Sequence, residues 1–511
     1  MDSTASEQGL RLGIIGAGAM GRGIAQVAAA GGMEVVILDA NSQVATEGCE
    51  FVGRMLRRLA EKGKLSVDDA EAAIGRIRQA ATMSDLAGCN VVVEAVVENL
   101  AVKQKVFAEL ENVVSEDCII ASNTSSLSIA AIASSARLPG RIAGFHFFNP
   151  VPLMKLVEVI ESIRTESWVG DTLMRVGRQM GREPVRVRDA PGFLVNQIGR
   201  GLTIESAHIV DEGIAGTVEI DRIMRDLAGF RMGPFELMDL TGLDVTHPAT
   251  ELIYQQFYGE PRFRPALVME QRTQAGILGR KTGSGFYPYE DGKQVVPDEP
   301  PAPTGGPDSV WVSRAEPEGH ARLTQLLRNL DAPLEDGDQP SAGALCLVTP
   351  MGSDATSAAV DQGLDASRTV AVDTLFSMEN RRVIMPTPIT SSRMRQAAHA
   401  LLAGDGRPVT VIRDSPGFVA QRVVAMIVNI GCAIAQCGAA APADIDKATT
   451  LALNYPQGPL AFADALGPAN ILRVLEGLQK IYGDPRYRPS PWLMRRARLG
   501  VSVATPEDIS H

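Results

Sequence analysis

The segment from Arg11 to Asp39 constrains the possible fold of this chain more than any other. Apolar residues lead into a GxGxxG pattern, an alanine-rich stretch follows, and a second apolar run ends in an acid. This order predicts a strand, a tight turn, a helix and a second strand, with the free N–H groups of the helix start turned towards phosphate groups. The predicted contact residues of this dinucleotide-binding turn are Gly16, Gly18, Ala19, Met20 and Gly21.

Asp39 indicates which dinucleotide the turn binds. It lies 18 residues after Gly21, where a carboxylate accepts hydrogen bonds from the adenosine ribose. A carboxylate there repels a 2′-phosphate, so the sequence favours NAD over NADP. A purely structural glycine turn is the alternative, although the surrounding strand, helix and acid argue against it.

Composition and charge exclude several classes of protein. The chain has 511 residues, which is too many for a single core, and 45% of them are hydrophobic, as in ordinary globular proteins. The net charge of −11 argues against a nucleic-acid partner and against binding to anionic membranes. The longest apolar stretch, from Val423 to Ala435, is too short to span a bilayer.

The cysteines and the first residues of the chain bear on location. The six cysteines are scattered, without a CxxC pair or a histidine at metal-ligand spacing, which is typical of reduced thiols. The first ten residues are polar and show no secretory signal. We therefore expect a cytoplasmic protein without a metal site.

Strand-like runs recur after Asp39 and are separated by helix-period segments. This alternation predicts a mainly parallel sheet covered on both faces. Asn41 is expected to cap a helix that runs to about Lys62. The predicted strands are Val91–Val97, Cys118–Asn123, Ile142–Phe147, Lys155–Ile160 and Pro184–Arg188, with helices at Val102–Val114 and Glu166–Met180. Residues 1–188 are therefore predicted to form a doubly wound, Rossmann-type domain of α/β class.

Polar residues that follow these strands are candidates for the ligand site, because open α/β sheets bind ligands at the carboxyl ends of their strands. Glu98 and Lys103 follow one strand. Asn123 and Ser125 belong to the polar loop that follows the next strand, and His146 ends a third. The sequence thus predicts that these side chains gather at one edge of the sheet.

Glu158 interrupts an apolar strand 12 residues after His146. A buried acid costs several kcal/mol unless it is paired, and His146 is the nearest sensible partner. A carboxylate that holds an imidazole fixes its tautomer and favours a general base. A structural histidine is the alternative, which the accompanying dinucleotide pattern and polar loop make less attractive.

Basic residues cluster on one face of the helix after Asn41 and at its exit. In an acidic protein such a cluster favours contact with the phosphates of a bulky anionic substrate, and Arg54 and Lys62 are the candidates for this contact. A solvated helix face is the alternative interpretation. The members of the cluster are Arg54, Arg57, Arg58, Lys62 and Lys64.

Beyond Arg188 the pattern becomes helical, and Pro191 and Gly192 mark the change. Residues 189–296 are predicted to form an all-helical domain, with Asn196 near the start of its first helix. Residues 297–308 form a polar linker rich in Pro and Gly.

An internal repeat with an offset of 225 residues follows the linker. Asp414–Phe418 matches Asp189–Phe193, and the Gly-Pro pair at Gly458 matches that at Gly233. Residues 414–511 are therefore predicted to be a second copy of the helical domain.

The stretch from 309 to 413 is predicted to be a degenerate α/β segment. It has strand-like runs at Leu345–Val348 and Thr369–Val372. It lacks a GxGxxG pattern and a counterpart of the His146 motif, and Gln421 stands where the first copy has Asn196. We therefore expect one active site per chain.

Five stretches of the chain resemble one family, the L-3-hydroxyacyl-CoA dehydrogenases. They are GxGxMGxGIA at Gly16–Ala25, SNTSSLSI at Ser122–Ile129, GFHFFNPVPLMKLVEVI at Gly144–Ile160, DAPGFLVNQI at Asp189–Ile198 and GRKTGSGFY at Gly279–Tyr287. The resemblance implies NAD-dependent oxidation of a 3-hydroxyacyl-CoA to a 3-oxoacyl-CoA.

The resemblance also implies a role for each motif residue. His146 would be the catalytic base and Glu158 its partner. Ser125 and Asn196 would hold the reacting oxygen and position the substrate. The residues that would line the NAD site are Glu98, Lys103 and Asn123.

The resemblance leaves the acyl chain, the pathway and the assembly open. It implies 3-hydroxybutyryl-CoA in fatty-acid β-oxidation or 3-hydroxyadipyl-CoA in phenylacetate degradation, the latter being typical of long forms with a duplicated tail. Related enzymes use the helical domain, residues 189–296 here, for substrate contacts and for dimerisation. The resemblance therefore implies a homodimer, or a pseudo-dimer in which the second helical copy takes the partner's place. The alternatives are a non-catalytic, crystallin-like NAD-binding relative and a hydroxyacid or sugar-nucleotide dehydrogenase.

Overall fold

The computed structural model describes residues 9–507, which divide into two bodies. The first comprises residues 9–195 together with Gly438–Leu453, and the second comprises Asn196–Cys437 and residues 454–507. Each body has its own buried apolar core.

The first body contains an eight-stranded sheet flanked by helices. Its elements are β1 (Arg11–Ile15), α1 (Ala19–Ala30), β2 (Glu34–Leu38), α2 (Ser42–Glu61), α3 (Val67–Gly75), β3 (Ile77–Gln79), β4 (Val91–Glu94), α4 (Leu100–Glu111), β5 (Ile119–Ser122), α5 (Ile129–Ala133), β6 (Ile142–Phe147), β7 (Leu156–Glu161), α6 (Ser167–Gln179) and β8 (Glu183–Arg188). The strand order is β3-β2-β1-β4-β5-β6-β7-β8, and every neighbouring pair is parallel except β6 and β7. The predicted doubly wound fold is confirmed.

Two glycines allow the turn between β1 and α1. Gly16 has a φ of 103°, and a Cβ there would lie 2.6 Å from the carbonyl oxygen of Ala95. A Cβ at Gly21 would lie 1.8 Å from the carbonyl oxygen of Gly16, so only glycine lets the helix pack this closely on the turn. The predicted cap of the next helix is also present, because the Asn41 side chain accepts a hydrogen bond from the backbone N–H of Gln43 at 3.0 Å.

The second body contains helices around a smaller sheet. Its elements are α7 (Val195–Asp211, of which Val195 belongs to the first body), α8 (Thr217–Asp226), α9 (Pro234–Thr241), α10 (Leu243–Gln256), α11 (Leu267–Gln274), the short strands β9 (Tyr289–Glu290) and β10 (Lys293–Gln294), β11 (Val310–Val312), α12 (Pro317–Asn329), β12 (Leu345–Val348), α13 (Ala355–Asp361), β13 (Thr369–Val372), β14 (Arg382–Pro386), α14 (Ser392–Leu402), β15 (Val409–Val411), α15 (Ala420–Gln436), α17 (Pro459–Leu466), α18 (Pro468–Tyr482) and α19 (Pro491–Leu499). Between α15 and α17 the chain forms α16 (Pro442–Leu453), which belongs to the first body. There the backbone N–H of Arg188 donates to the carbonyl oxygen of Ala439 at 2.8 Å.

The duplication predicted from the sequence is visible in the backbone. Phe193 and Phe418, which occupy equivalent places in the two DxPGF loops, both have left-handed φ angles, 50° and 49°. The preceding aspartates also act alike: Asp189 accepts from the backbone N–H of Ala130 at 2.8 Å, and Asp414 from that of Ala355 at 2.8 Å. Each aspartate therefore holds the first turn of a short helix in its own sheet domain.

The degenerate α/β segment retains the end of the first sheet. Its strand order is β11-β12-β13-β14-β15, and the one antiparallel pair, β13 with β14, recurs where β6 and β7 pair in the first sheet. The backbone N–H of Asp373 donates to the carbonyl oxygen of Val383, which lies 225 residues after Glu158. Asp373 accepts a hydrogen bond from Gln421 at 2.9 Å, and burial raises its pKa to about 6. In the second sheet an acid therefore faces a valine, where the first sheet pairs a histidine with a glutamate.

The two helical copies pack against each other inside the second body. Helices α7 and α15 approach so closely that a Cβ at Gly201 would lie 3.0 Å from the Cα of Ile427. The rings of Phe230 and Tyr455, which are equivalent residues of the two copies, meet edge to face with centroids 4.8 Å apart.

A buried ionic network adds to this contact and is asymmetric. Arg422 has a fully buried side chain that pairs with Glu205 and donates to both carboxylate oxygens of Glu212 at 2.7 and 2.8 Å. The hydroxyl of Tyr482 donates to Glu212 at 2.7 Å, and that of Tyr487 donates to Glu205 at 2.8 Å. The first copy thus supplies the acids, and the second copy supplies the arginine and the phenols.

Among the helices that the structure describes, none has the length and apolar character needed to cross a bilayer.

We expect Arg422→Met to destabilise the second body strongly. Removing the guanidinium leaves the buried carboxylate of Glu205 with only the more distant Arg486, 3.9 Å away, as an ionic partner. Loss of a buried ionic partner costs about 3–5 kcal/mol. The midpoint of urea unfolding, followed by circular dichroism, measures the effect. Arg473→Met is the matched control, because the ion pair of Arg473 with Glu316 is partly exposed and should be worth about 0–1 kcal/mol. Equal shifts for the two variants would contradict the role assigned to the network.

The network also predicts an acid-dependent loss of stability. Burial alone would raise the pKa of Glu212, but hydrogen bonds from Arg422 and Tyr482 and the charge of Arg486 outweigh it and lower this pKa to about 2. Because the folded pKa is depressed, the stabilisation is complete above the ordinary pKa of 4.5 and is lost as the pH falls towards 2. Thermal unfolding should show wild type more stable than Glu212→Gln at neutral pH, with a gap that narrows in acid. A gap independent of pH would exclude this linkage.

Candidate active site

The carboxyl edge of the first sheet carries the predicted dinucleotide turn. Gly18 and Ala19 are exposed at the start of α1, and a Cβ built on Gly18 meets no atom within 4 Å. The carboxylate of Asp39 accepts from the backbone N–H of Ala17 at 2.8 Å and from that of Asn41 at 3.0 Å, which fixes it beside the turn. The tight glycines, the open space at Gly18 and the fixed acid fit the pyrophosphate and ribose of a dinucleotide.

A buried ionic cluster lies under the next two loops. Glu94, at the end of β4, is fully buried and lies 2.7 Å from Lys103 Nζ. Lys103 Nζ also lies 3.2 Å from Glu98 Oε2. Ser122 donates to the second oxygen of Glu94 at 2.7 Å. Lys103 is therefore held in an ion pair below the surface, and its closest neighbours are two carboxylates.

Glu98 in turn organises the polar loop after β5. One of its oxygens accepts from the hydroxyl of Thr124 at 2.6 Å and from the backbone N–H groups of Ser125 at 3.0 Å and Ser126 at 3.1 Å. Burial alone would raise the pKa of Glu98, but these hydrogen bonds and the charge of Lys103 lower it. An ionised Glu98 thus sets the position of the Ser125 backbone.

Asn123 links the ends of two strands. Its side-chain oxygen accepts from the backbone N–H of Phe147 at 2.9 Å, and its own backbone N–H donates to the carbonyl oxygen of Glu94 at 2.8 Å. The loop that contains Ser125 is thereby tied to the end of β6, the strand that carries His146.

His146 and Glu158 are cross-strand partners on β6 and β7. Nδ1 of His146 lies 2.6 Å from Oε2 of Glu158, and the two residues are 5% and 0% exposed. Oε1 of Glu158 accepts from the backbone N–H groups of Leu194 at 3.1 Å and Val195 at 2.9 Å. Because the carboxylate accepts from Nδ1–H, the imidazole is held as the tautomer whose Nε2 can accept a proton.

Asn196 is the second residue of α7 and belongs to the second body. It is half-buried, and its carbonyl oxygen accepts from Arg200 Nε at 3.2 Å. The other predicted catalytic residues, Ser125, His146 and Glu158, lie in the first body.

A cavity of about 420 Å³ lies in the first body between α1, α2 and the loop after β6. Its floor is largely apolar, and its four charged lining residues are all basic. The lining residues are Ala19, Arg22, Gly23, Gln26, Phe51, Met55, Arg58, Leu59, Lys62, Lys64, Asn149, Pro150, Val151, Pro152 and Leu153. This arrangement suits a long, partly apolar ligand with phosphate groups.

The predicted basic cluster divides around this cavity. Lys62, Arg58 and Lys64 line it, whereas Arg54 pairs with Glu50 at 3.6 Å on the exposed face of α2. Arg57 bonds to Glu71 at 2.7 Å and is also absent from the lining.

Sequence reasoning missed two residues of this region. Glu94 was detectable by the argument used for Glu158, since it too is an acid at the end of an apolar run and requires a partner. Arg22 follows the last glycine of the turn directly, and its guanidinium lies over the Phe51 ring at 4.0 Å. Arg22 could have been predicted from the sequence, because it is a basic residue next to a phosphate-binding pattern.

Comparison with known families identifies both parts of the chain. Residues 11–190 match the model described as "3-hydroxyacyl-CoA dehydrogenase, NAD binding domain". Residues 192–289 and, again, 417–508 match "3-hydroxyacyl-CoA dehydrogenase, C-terminal domain".

Individual relatives agree with this assignment. The chain is 36% identical to 3-hydroxyadipyl-CoA dehydrogenase of Escherichia coli K12, over 95% of this chain and 97% of the relative. It is 40% identical to a probable 3-hydroxybutyryl-CoA dehydrogenase of Deinococcus radiodurans, over 55% of this chain and 100% of the relative. The crystal structure of an E. coli K12 3-hydroxybutyryl-CoA dehydrogenase matches with a TM-score of 0.85 and 33% identity, covering 96% of this chain and 98% of that one.

The enzyme class and cofactor predicted from the sequence are confirmed at the level of the family, and the dehydrogenase names of the relatives favour an enzyme over a crystallin-like protein. The chain belongs to the 3-hydroxyacyl-CoA dehydrogenase family, and NAD is its cofactor.

Proposed function

We propose that this protein oxidises an (S)-3-hydroxyacyl-CoA to the 3-oxoacyl-CoA with His146 as the general base. The observation that carries the proposal is the 2.6 Å contact between His146 Nδ1 and a fully buried Glu158. A carboxylate is expensive to bury unless its hydrogen bonds are replaced, and here the imidazole and two backbone N–H groups replace them.

The reaction requires a proton to leave the alcohol oxygen and a hydride to leave carbon. When bound, NAD accepts the hydride. His146 takes the proton at Nε2, and Glu158 stabilises the positive charge that the imidazole gains. In the reverse direction, protonated His146 donates to the ketone oxygen.

Ser125 and Asn196 are proposed to hydrogen-bond the reacting oxygen and so position the substrate. Support for Ser125 comes from Glu98, whose carboxylate accepts from the Ser125 backbone N–H at 3.0 Å. The hydrogen bond from Thr124 and the charge of Lys103 both lower the pKa of Glu98. Lys103 and Glu98 then affect the reaction indirectly, by positioning the loop that contains Ser125. Asn123 ties this loop to the end of β6.

The basic cavity is proposed to receive the CoA portion of the substrate. Arg22, Arg58, Lys62 and Lys64 provide positive charge for phosphates, and the apolar floor suits the pantetheine arm. The named relatives act on 3-hydroxyadipyl-CoA and 3-hydroxybutyryl-CoA, so we propose an acyl chain of this length range, in phenylacetate or fatty-acid breakdown.

We further propose that the second helical copy serves as a built-in partner for the first. The packing of α7 on α15 and the buried pairing of Arg422 with Glu205 support a pseudo-dimer within one chain. The free thiols of Cys49, Cys89, Cys118 and Cys346 support a cytoplasmic location.

His146→Gln should abolish most of the turnover while leaving NAD binding intact. A glutamine fills similar space but cannot take a proton, and loss of a general base costs about 10²- to 10⁴-fold in kcat. Glu158→Gln should also lower kcat, because a neutral amide cannot balance the imidazolium charge. NADH formation from 3-hydroxybutyryl-CoA measures kcat. His320→Gln, in the degenerate segment, is the control and should keep wild-type turnover. Full turnover by His146→Gln would refute the proposed mechanism.

Lys62→Glu should raise KM for the acyl-CoA about three- to tenfold and spare kcat, because the reversed charge repels phosphates at an exposed site. Arg54→Glu is the matched control on the same helix, since its side chain pairs with Glu50 and lies outside the cavity lining. Steady-state kinetics at low ionic strength checks the pair, because salt screens such contacts. If Arg54→Glu raised KM and Lys62→Glu did not, the CoA portion would have to bind elsewhere.

A further inference from the structure

Arg200 carries a charge that has no acidic partner among residues 9–507. Its side chain is half-buried on α7, and its hydrogen bonds go to neutral oxygens: the carbonyl of Asn196 at 3.2 Å, the carbonyl of Thr246 at 3.1 Å and the hydroxyl of Thr250 at 2.6 Å. Within residues 9–507 no carboxylate forms an ion pair with it. These bonds occupy Nε and Nη1, so Nη2 is not used by any of them.

Such a guanidinium is costly in this position. Burial lowers the pKa of Arg200 to about 10, so the residue keeps its charge at neutral pH. A charge taken out of water without a partner is normally compensated by an ion pair or by a ligand. An anionic ligand is therefore the natural complement of Arg200.

Tyr455 provides a second polar group, and its hydroxyl lacks a hydrogen-bond partner among the described residues. It is 4% exposed, and its buried hydroxyl makes no hydrogen bond to any residue that the structure describes. Burial raises the pKa of Tyr455, and the positive charge of Arg200 opposes this increase. Its ring is fixed against Phe230, so the hydroxyl is held in place. An arginine and a phenol that both need an acceptor match the two oxygens of a carboxylate.

Chain position relates this pair to the proposed reaction. Arg200 lies four residues after Asn196, so both side chains are on one face of α7, about 6 Å apart along the helix axis. If Asn196 positions the reacting oxygen, a group bound at Arg200 belongs further along the acyl chain.

We infer that Arg200 and Tyr455 bind a free carboxylate at the distal end of the acyl chain, so that the preferred substrate is a dicarboxylic 3-hydroxyacyl-CoA. This inference rests on the proposed function. It also gives the second helical copy a direct part in substrate selection, because Tyr455 belongs to that copy.

The test compares 3-hydroxyadipyl-CoA with 3-hydroxyhexanoyl-CoA, which has the same chain length but ends in a methyl group. The ratio of kcat/KM for the acid to kcat/KM for the methyl substrate is the measured quantity. Wild type should favour the acid, and Arg200→Met should lower the ratio at least about thirtyfold, mainly through KM for the acid. Tyr455→Phe should lower it by a smaller factor, and Arg200→Lys should restore part of the loss. Arg272→Met, another half-buried arginine that binds a carbonyl of the helical domain, is the control and should leave the ratio unchanged.

The outcomes separate this inference from the proposed function. Equal kcat/KM for the two substrates in the wild type, or an unchanged ratio in Arg200→Met, overturns the carboxylate site while leaving the dehydrogenase intact. If Arg200→Met does not fold, an unchanged ratio in both Tyr455→Phe and Arg200→Lys overturns the site instead. No NADH from either substrate overturns the proposed function and the inference together.

Discussion

The buried carboxylate of Glu158 is the interaction on which the first body depends. It joins β7 to β6 through His146 and joins both strands to the chain segment at Leu194 and Val195. All three contacts are donors to the same ion, so the charge is satisfied only when these parts of the chain are in place. The same ion therefore fixes the imidazole and anchors the chain as it leaves the sheet.

A second buried acid, Glu94, helps to position the loop after β5. Lys103 pairs with both Glu94 and Glu98, and Glu98 accepts hydrogen bonds from the backbone N–H groups of the loop that contains Ser125. Two adjacent strand ends are thus organised by carboxylates below the surface. The backbone at Ser125 and the imidazole of His146 are therefore fixed by hydrogen bonds within the fold, which is the usual basis of preorganisation.

Much of this arrangement could be predicted from the sequence because it follows local rules. The run Ile142–Phe147 is a strand with the predicted bounds, and Asn41 caps the predicted helix. The antiparallel step from β6 to β7 could not be predicted, since an apolar run carries no information on direction. That step makes His146 and Glu158 cross-strand neighbours.

The parts of the site that could not be predicted depend on contacts between separate elements of the fold. Lys103 was expected to line the cofactor site, but only the fold shows that its charge is taken up by Glu94 and Glu98. Likewise the sequence grouped Arg54 with Lys62 by helical face, and only the packing of α2 separates them. The roles proposed for these residues, and the predicted domain boundaries, remain predictions.

The joining of two helical copies in one polypeptide changes how their contact responds to concentration. Partners held on one chain meet at a fixed effective concentration set by the intervening residues, so dilution cannot separate them as it separates two subunits. Selection on each copy is also independent, whereas a symmetric dimer must accept every substitution twice. In this chain one copy carries the acids Glu205 and Glu212 and the other carries Arg422, so neither copy has to supply both halves of the network.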